Sequence, residues 1–279
     1  LATRRFKGIK SSRAALVILK NMRLTDIQAR ILEAKRMRLA HLRARPLEAL
    51  REQSLGEREN AFPHLLRDAV SRPDRLNVIA EIKRASPWQA VIQTEIDPAE
   101  LALAHSRGGA AAISVWTEED YFHGSLDDLR VTRAAVSLPV LRKDFIIEPC
   151  QVYETAIAGA DALVLIVAAL DERRLALLRR VAEEELGLDA FVEVRSANEM
   201  RRAHAIGATL IGVNNRDPST FEVSLDISVE VARAAPEGVI LVSQDGLRTR
   251  KHLLGLRALG YKGFLIGESA AAGDLLTES

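Results

Sequence analysis

Several apolar runs of this chain end in residues that do acid–base chemistry. "NVIAEIK" (77–83) carries Glu81 and Lys83, two positions apart and so on one face of a strand. "PVLRKDF" (139–145) carries Lys143, and "AFVEVR" (190–195) carries Glu193. Asn214 and Arg216 close the run from 209, and Gln244 and Asp245 close the run from 238. As mere filling, such a set would cost several kcal/mol, because buried charge needs partners. Gathered in one mouth it suits proton transfer, since burial or a neighbouring cation lowers a lysine pKa and desolvation raises a carboxylate. "DGL" at 245–247 and "IGES" at 266–269 add Gly246 and Gly267, where bare backbone can approach an anion.

The elements that must hold these residues repeat. Eight short apolar runs are expected as strands: 77–83, 110–116, 139–145, 161–167, 190–195, 209–215, 238–244 and 263–269. A helical segment follows each, and Gly109, Gly159, Gly207 and Gly260 read as helix C-caps before the next strand. Eight regular βα units predict an α/β fold, a closed (β/α)₈ TIM barrel, whose chemistry sits at the C-terminal strand ends. Residues 24–55 predict one or two amphipathic helices broken near Pro46, with Thr25 or Asp26 as a cap. The expected division is a helical extension, 1–76, packed on the barrel, 77–279, as one structural domain.

Bulk composition narrows the partners. Apolar residues make up 48% of the 279, enough for a large core, and the formal net charge of +1 gives no electrostatic case for nucleic acid. One cysteine, Cys150, excludes an internal disulfide, and the six histidines lack metal-ligand spacing, so no metal is expected. No apolar run is long enough to span a membrane. A cytoplasmic setting is expected. The basic start, 1–24, reads as a solvated charged face, with a transit peptide or a basic helix near an anionic ligand as alternatives, and its first residue, Leu1, as a processed end.

The motifs "IAEIKRASP", "YFHGSLDDL", "LPVLRKDFI", "GADALVLI", "VEV", "IGVNNRD" and "LIGES" together resemble the indole-3-glycerol phosphate synthase family, from about residue 77 to 270. The resemblance implies a (β/α)₈ barrel with an N-terminal helical segment. It implies closure of an anilino-deoxyribulose phosphate to an indole with loss of CO₂ and water, no cofactor, and a monomer. By the same resemblance Lys143 is the general acid and Lys83 the second catalytic lysine, with Glu81, Glu193 and Asn214 at further catalytic positions. Ser86 and Arg216 would touch substrate, Phe122 and Phe145 would form an aromatic wall, and Gly246 and Gly267 would bind phosphate.

Departures fall at the working end. The family's Ser-Pro-Ser-Lys-Gly loop is Ser86-Pro87-Trp88-Gln89-Ala90 here, its strand-two Leu is Trp116, and its Ser-Glu-Ser-Gly is Ser243-Gln244-Asp245-Gly246. A carboxylate about 5 Å from a phosphate dianion costs a few kcal/mol at an effective dielectric near 20. Two tryptophans add flat area suited to a planar, uncharged ring. These changes favour a barrel repurposed by design: Asp245 as general base for Kemp elimination of a benzisoxazole, Trp88 and Trp116 as stacking walls, Lys143, Lys83 or Asn214 on the oxyanion, and Glu81 and Glu193 as rival bases. The alternative is a working synthase using Lys143, Lys83 and Glu193. A third possibility, a non-catalytic barrel for aromatic ligands, would leave many ionisable groups without a task.

Overall fold

A computed structural model describes residues 24–87, 95–217 and 220–267. Eight parallel strands close in sequence order, β1 pairing with β8, into a TIM barrel. They are β1 (Asn77–Ile82), β2 (Ala112–Trp116), β3 (Val140–Lys143), β4 (Ala162–Ile166), β5 (Asp189–Val194), β6 (Leu210–Asn214), β7 (Ile240–Gln244) and β8 (Gly263–Ile266). Helices α1 (Leu24–Arg43), α2 (Leu47–Arg58) and α3 (Leu65–Val70) precede the barrel. Between strands run α4 (Pro98–Arg107), α5 (Leu126–Ala135), α6 (Pro149–Ile157), α7 (Glu172–Arg180), α8 (Ala197–Ala205), α9 (Asp226–Ala234) and α10 (Arg250–Ala258).

Sequence and structure agree on strand number and order, and they differ at strand ends. Strand β3 stops at Lys143 rather than 145 because the Asp144 carboxylate takes the Phe145 N–H, at 2.7 Å. Pro46 separates α1 from α2, as its missing N–H and fixed φ dictate at a helix start. Thr25 and Asp26 do not cap α1, which already includes Leu24. The glycines at 109, 159, 207 and 260 have φ of 84°, 85°, 80° and 100°, the left-handed turn that ends each helix cheaply only in glycine.

Alternation along each strand sorts side chains between two cores. Outward residues such as Val78, Ile113, Leu163 and Val213 pack under the helices. Inward residues such as Ile79, Ala112, Leu141, Val164, Phe191, Leu210, Val242 and Leu265 fill the barrel. Phe191 occupies the axis because Gly212 leaves space: a Cβ there would lie 2.0 Å from the ring. One step further along the strands, the inward positions become Glu81, Trp116, Lys143, Ile166, Glu193, Asn214 and Gln244, all lining one cavity. No helix among the described residues is long and apolar enough to cross a membrane.

Candidate active site

The cavity at the C-terminal end of the strands has a volume of about 520 Å³. Glu193 lines it and accepts from four donors. Its Oε2 accepts from Lys143 Nζ at 3.1 Å and Gln244 Nε2 at 2.9 Å, and its Oε1 accepts from Asn214 Nδ2 at 3.1 Å and Arg195 at 3.0 Å. Burial works against this charge, but Lys143 and Arg195 outweigh it and hold the carboxyl at about 2. Lys143 also donates to Gln244 Oε1 at 2.9 Å. Gln244 therefore bridges the lysine and the glutamate with one group of each polarity, which a glutamate at that position could not do.

A second pair sits on β1. Lys83 Nζ donates to Glu81 Oε2 at 2.9 Å, and the indole N–H of Trp116 donates to Glu81 Oε1 at 2.9 Å. Burial opposes the charge on Glu81, yet Lys83 and Lys143 hold its carboxyl below the ordinary value. Gly267 makes room for this pair, since a Cβ there would stand 3.0 Å from Glu81 Oε2.

Lys83 and Asp245 also border an adjoining, more polar cavity of about 550 Å³. Arg216, Arg248, Gly246 and Gly267 line it as well. Gly246 has φ 79°, and a Cβ would lie 2.5 Å from Val223, so only glycine fits this close turn. Cations and bare backbone around a polar hollow suit an anion.

Most of the residues singled out in the sequence come together here. Glu81, Lys83, Trp116, Phe122, Lys143, Phe145, Glu193, Asn214, Gln244 and Asp245 line the first cavity, and Arg216, Gly246 and Gly267 line the second. Ser86 is buried beside β1. Trp88 lies outside the described residues, as does the basic start of the chain. Trp116 does not stand as an open wall, because Phe122 stacks on it at 3.5 Å between ring centroids and 5° between planes. Asp245 leaves the strand at φ 65°, and its Oδ2 accepts from Arg216 Nε at 3.2 Å. Alternation gives the inward direction to Gln244, and Asp245 turns to the wall between the two cavities.

Two features had no role assigned from the sequence. Arg195, whose parity with Glu193 the sequence shows, lines the cavity, and two of its donors, Nε and Nη1, are buried without a partner among the described residues. On the other face of β3, Arg142 and Asp144 form a closed network with Thr117 and with Lys35 of α1, whose Nζ is 2.8 Å from Asp144 Oδ1. Arg–x–Asp around Lys143 was the available signal, since Asp144 borders the cavity but its carboxylate is engaged by Lys35, Arg142 and Thr117 on the outer side.

The family model for indole-3-glycerol phosphate synthase matches residues 28–277. The indole-3-glycerol phosphate synthase of Carboxydothermus hydrogenoformans is 44% identical over 224 residues, covering 79% of this chain and 84% of that one. That of Leifsonia xyli is 48% identical over 207 residues, 74% of this chain and 79% of that one. Among solved structures, an N-acetylmannosamine-6-phosphate 2-epimerase from Clostridium perfringens superposes with a TM-score of 0.55 at 15% identity, covering 74% of this chain and 90% of that one, a likeness of fold alone. These relatives overturn the expectation of an engineered Kemp eliminase, and the role of Asp245 as its base falls with it. The geometry agrees, since the Asp245 carboxylate is engaged by the Arg216 guanidinium at 3.2 Å rather than presented alone to the cavity. The chain belongs to the indole-3-glycerol phosphate synthase family.

Proposed function

We propose that this protein closes a carboxyanilino deoxyribulose phosphate into an indole, releasing CO₂ and water. The observation that carries this reading is the pair of lysines, each bonded to its own glutamate, facing one cavity beside an anion-suited one. Carbon–carbon closure needs a proton delivered to the ketone oxygen, and the Lys143 ammonium is the cavity donor assigned to it. Loss of CO₂ returns its bonding electrons to the ring. Departure of the new hydroxyl as water needs a second acid, Lys83 in this reading, and the indole double bond forms as the adjacent carbon gives up its proton to a neighbouring carboxylate. Glu193 and Glu81 each hold one lysine in place, and Asn214 helps fix Glu193. The phosphate would occupy the cavity lined by Gly246, Gly267 and Arg248, with Arg216 on its border.

Gln244 and Asp245 are tolerated in this reading. Gln244 still accepts from Lys143, and Arg216 offsets the Asp245 charge next to the phosphate. The helices before residue 77 belong with the barrel as one unit, tied through Lys35 to the residue after Lys143. Incubation of the purified protein with the carboxyanilino substrate tests the reading. Equimolar CO₂ and an indole chromophore are expected, and absence of both across about pH 5–9 contradicts it.

A further inference from the structure

Trp116 touches both halves of the catalytic machinery. Its N–H donates to Glu81 Oε1, while Lys143 Nζ sits 5.3 Å from the ring centroid, within cation–π range. The residue is buried and its backbone pairs directly with Lys143 in the β2–β3 register. A phenylalanine or leucine could fill the same volume but could not donate to a carboxylate.

The ring geometry indicates what orients the indole. Aromatic pairs left to themselves prefer offset or edge-to-face arrangements over a close parallel sandwich. Trp116 and Phe122 nevertheless lie nearly parallel at 3.5 Å. Two constraints hold them so. The loop after β2 returns tightly over the strand end, where a Cβ on Gly124 would lie 2.0 Å from the Trp116 carbonyl oxygen. Glu118 fixes that loop by accepting from the backbone N–H groups of Asp120, Tyr121 and Phe122. With Phe122 pinned on one face, the hydrogen bond to Glu81 sets the remaining rotation of the indole.

We propose that Trp116 is a positioning residue: its N–H fixes Glu81, and through Glu81 it orients Lys83, with its ring facing the Lys143 ammonium. It is not primarily a surface for the substrate ring. The inference rests on the synthase reading for its kinetic consequence. Glu81 then has one oxygen committed to Trp116 and the other to Lys83, so neither oxygen is left to swing toward Lys143.

Trp116→Phe tests this by keeping an aromatic plane and deleting the donor. Turnover should fall about 10-fold with KM within about 2-fold, as for a lost interaction that acts only in the chemical step. The acid limb of the kcat profile should move upward, because a carboxylate deprived of an N–H donor is easier to protonate. Trp116→Leu should show the same split. A rise in KM with kcat unchanged, or no change in either, overturns the proposal. A second readout is independent of turnover. In ¹⁵N-indole NMR, the Trp116 Nε1–H signal should be protected from exchange and should shift in Glu81→Gln. A Trp116 signal that is unprotected and indifferent to Glu81→Gln overturns the proposal even in a protein with full synthase activity. Conversely, if the wild type makes no indole but the signal is protected and shifts, the function assigned above fails while the Trp116–Glu81 coupling stands.

Discussion

Strand β3 carries two buried ionic networks, one on each face, and they differ in what they enclose. Outward, Arg142 bonds Asp144 at 3.0 Å, Glu154 at 3.0 Å and the hydroxyls of Thr117 and Thr155, and Lys35 closes the set from α1. Inward, Lys143 bonds Glu193 and Gln244 on the wall of a cavity. Burial and charge are nearly matched, with side-chain exposures of 4% for Arg142 and 7% for Lys143. In both, cations overcome desolvation and hold a carboxylate below its ordinary range, Asp144 on one face and Glu193 on the other. Buried charge therefore does not mark an active site by itself. The outer network spends its donors on fixed protein groups, whereas the inner one borders space a substrate can enter.

The sharpest way to break this contrast is Lys143→Met. Turnover should fall by about 10³-fold, a large share of what a positioned general acid supplies. The loss of melting temperature should be smaller than that of Arg142→Met, since Glu193 keeps Arg195, Asn214 and Gln244. Steady-state kinetics and calorimetry on one preparation check both.

Arg142→Met should do the reverse. It leaves Glu154 without this partner and Asp144 with Lys35, Thr117 and the Phe145 N–H. Breaking a buried network of this kind costs about 3–5 kcal/mol, read by denaturant unfolding. At a temperature where the variant is folded, turnover should stay within about 10-fold of wild type, because Lys143 faces the other way.

Titration sharpens the comparison further. Glu193 ordinarily titrates near 4.5 and is held at about 2 in the fold. Its pKa is depressed, so its stabilisation is complete above the unfolded value and is lost as pH falls through about 2. Gln244→Glu would set a carboxylate where the amide now touches Glu193 at 2.9 Å. Like-charge contact should raise the lower limb of the pH–stability curve by about one unit, and an unmoved limb would separate Gln244 from the network.

The smallest effect is expected at the rim. Asp245→Ser should lower KM for the phosphorylated substrate about 3-fold with kcat unchanged, because Arg216 already screens much of that charge. A larger drop in KM would mean that Asp245 opposes the phosphate with its full charge.

The fold was legible because eight apolar runs recur at regular spacing, and four of them, β2, β4, β6 and β8, follow a helix-ending glycine. The site was legible as composition, since Glu81, Lys143 and Glu193 break otherwise apolar inward columns. Pairing was not, because Lys143 meets Glu193 only after β3, β4 and β5 close side by side. Trp116 was read as a stacking wall from its flat ring, but its N–H finds a buried carboxylate, a partner that only the β1–β2 register supplies. Arg142 and Asp144 were hidden by alternation, which turns their charged ends toward Thr117 and Lys35 rather than the mouth. Asp245 misled because a left-handed residue at a strand end escapes the two-residue period.

The most direct test is kcat for indole formation by Lys143→Met and Arg142→Met, each measured on folded protein at one temperature. A ratio of about 100 or more in favour of Arg142→Met is expected for an inner network that works and an outer one that supports. Equal losses in the two variants would contradict that division.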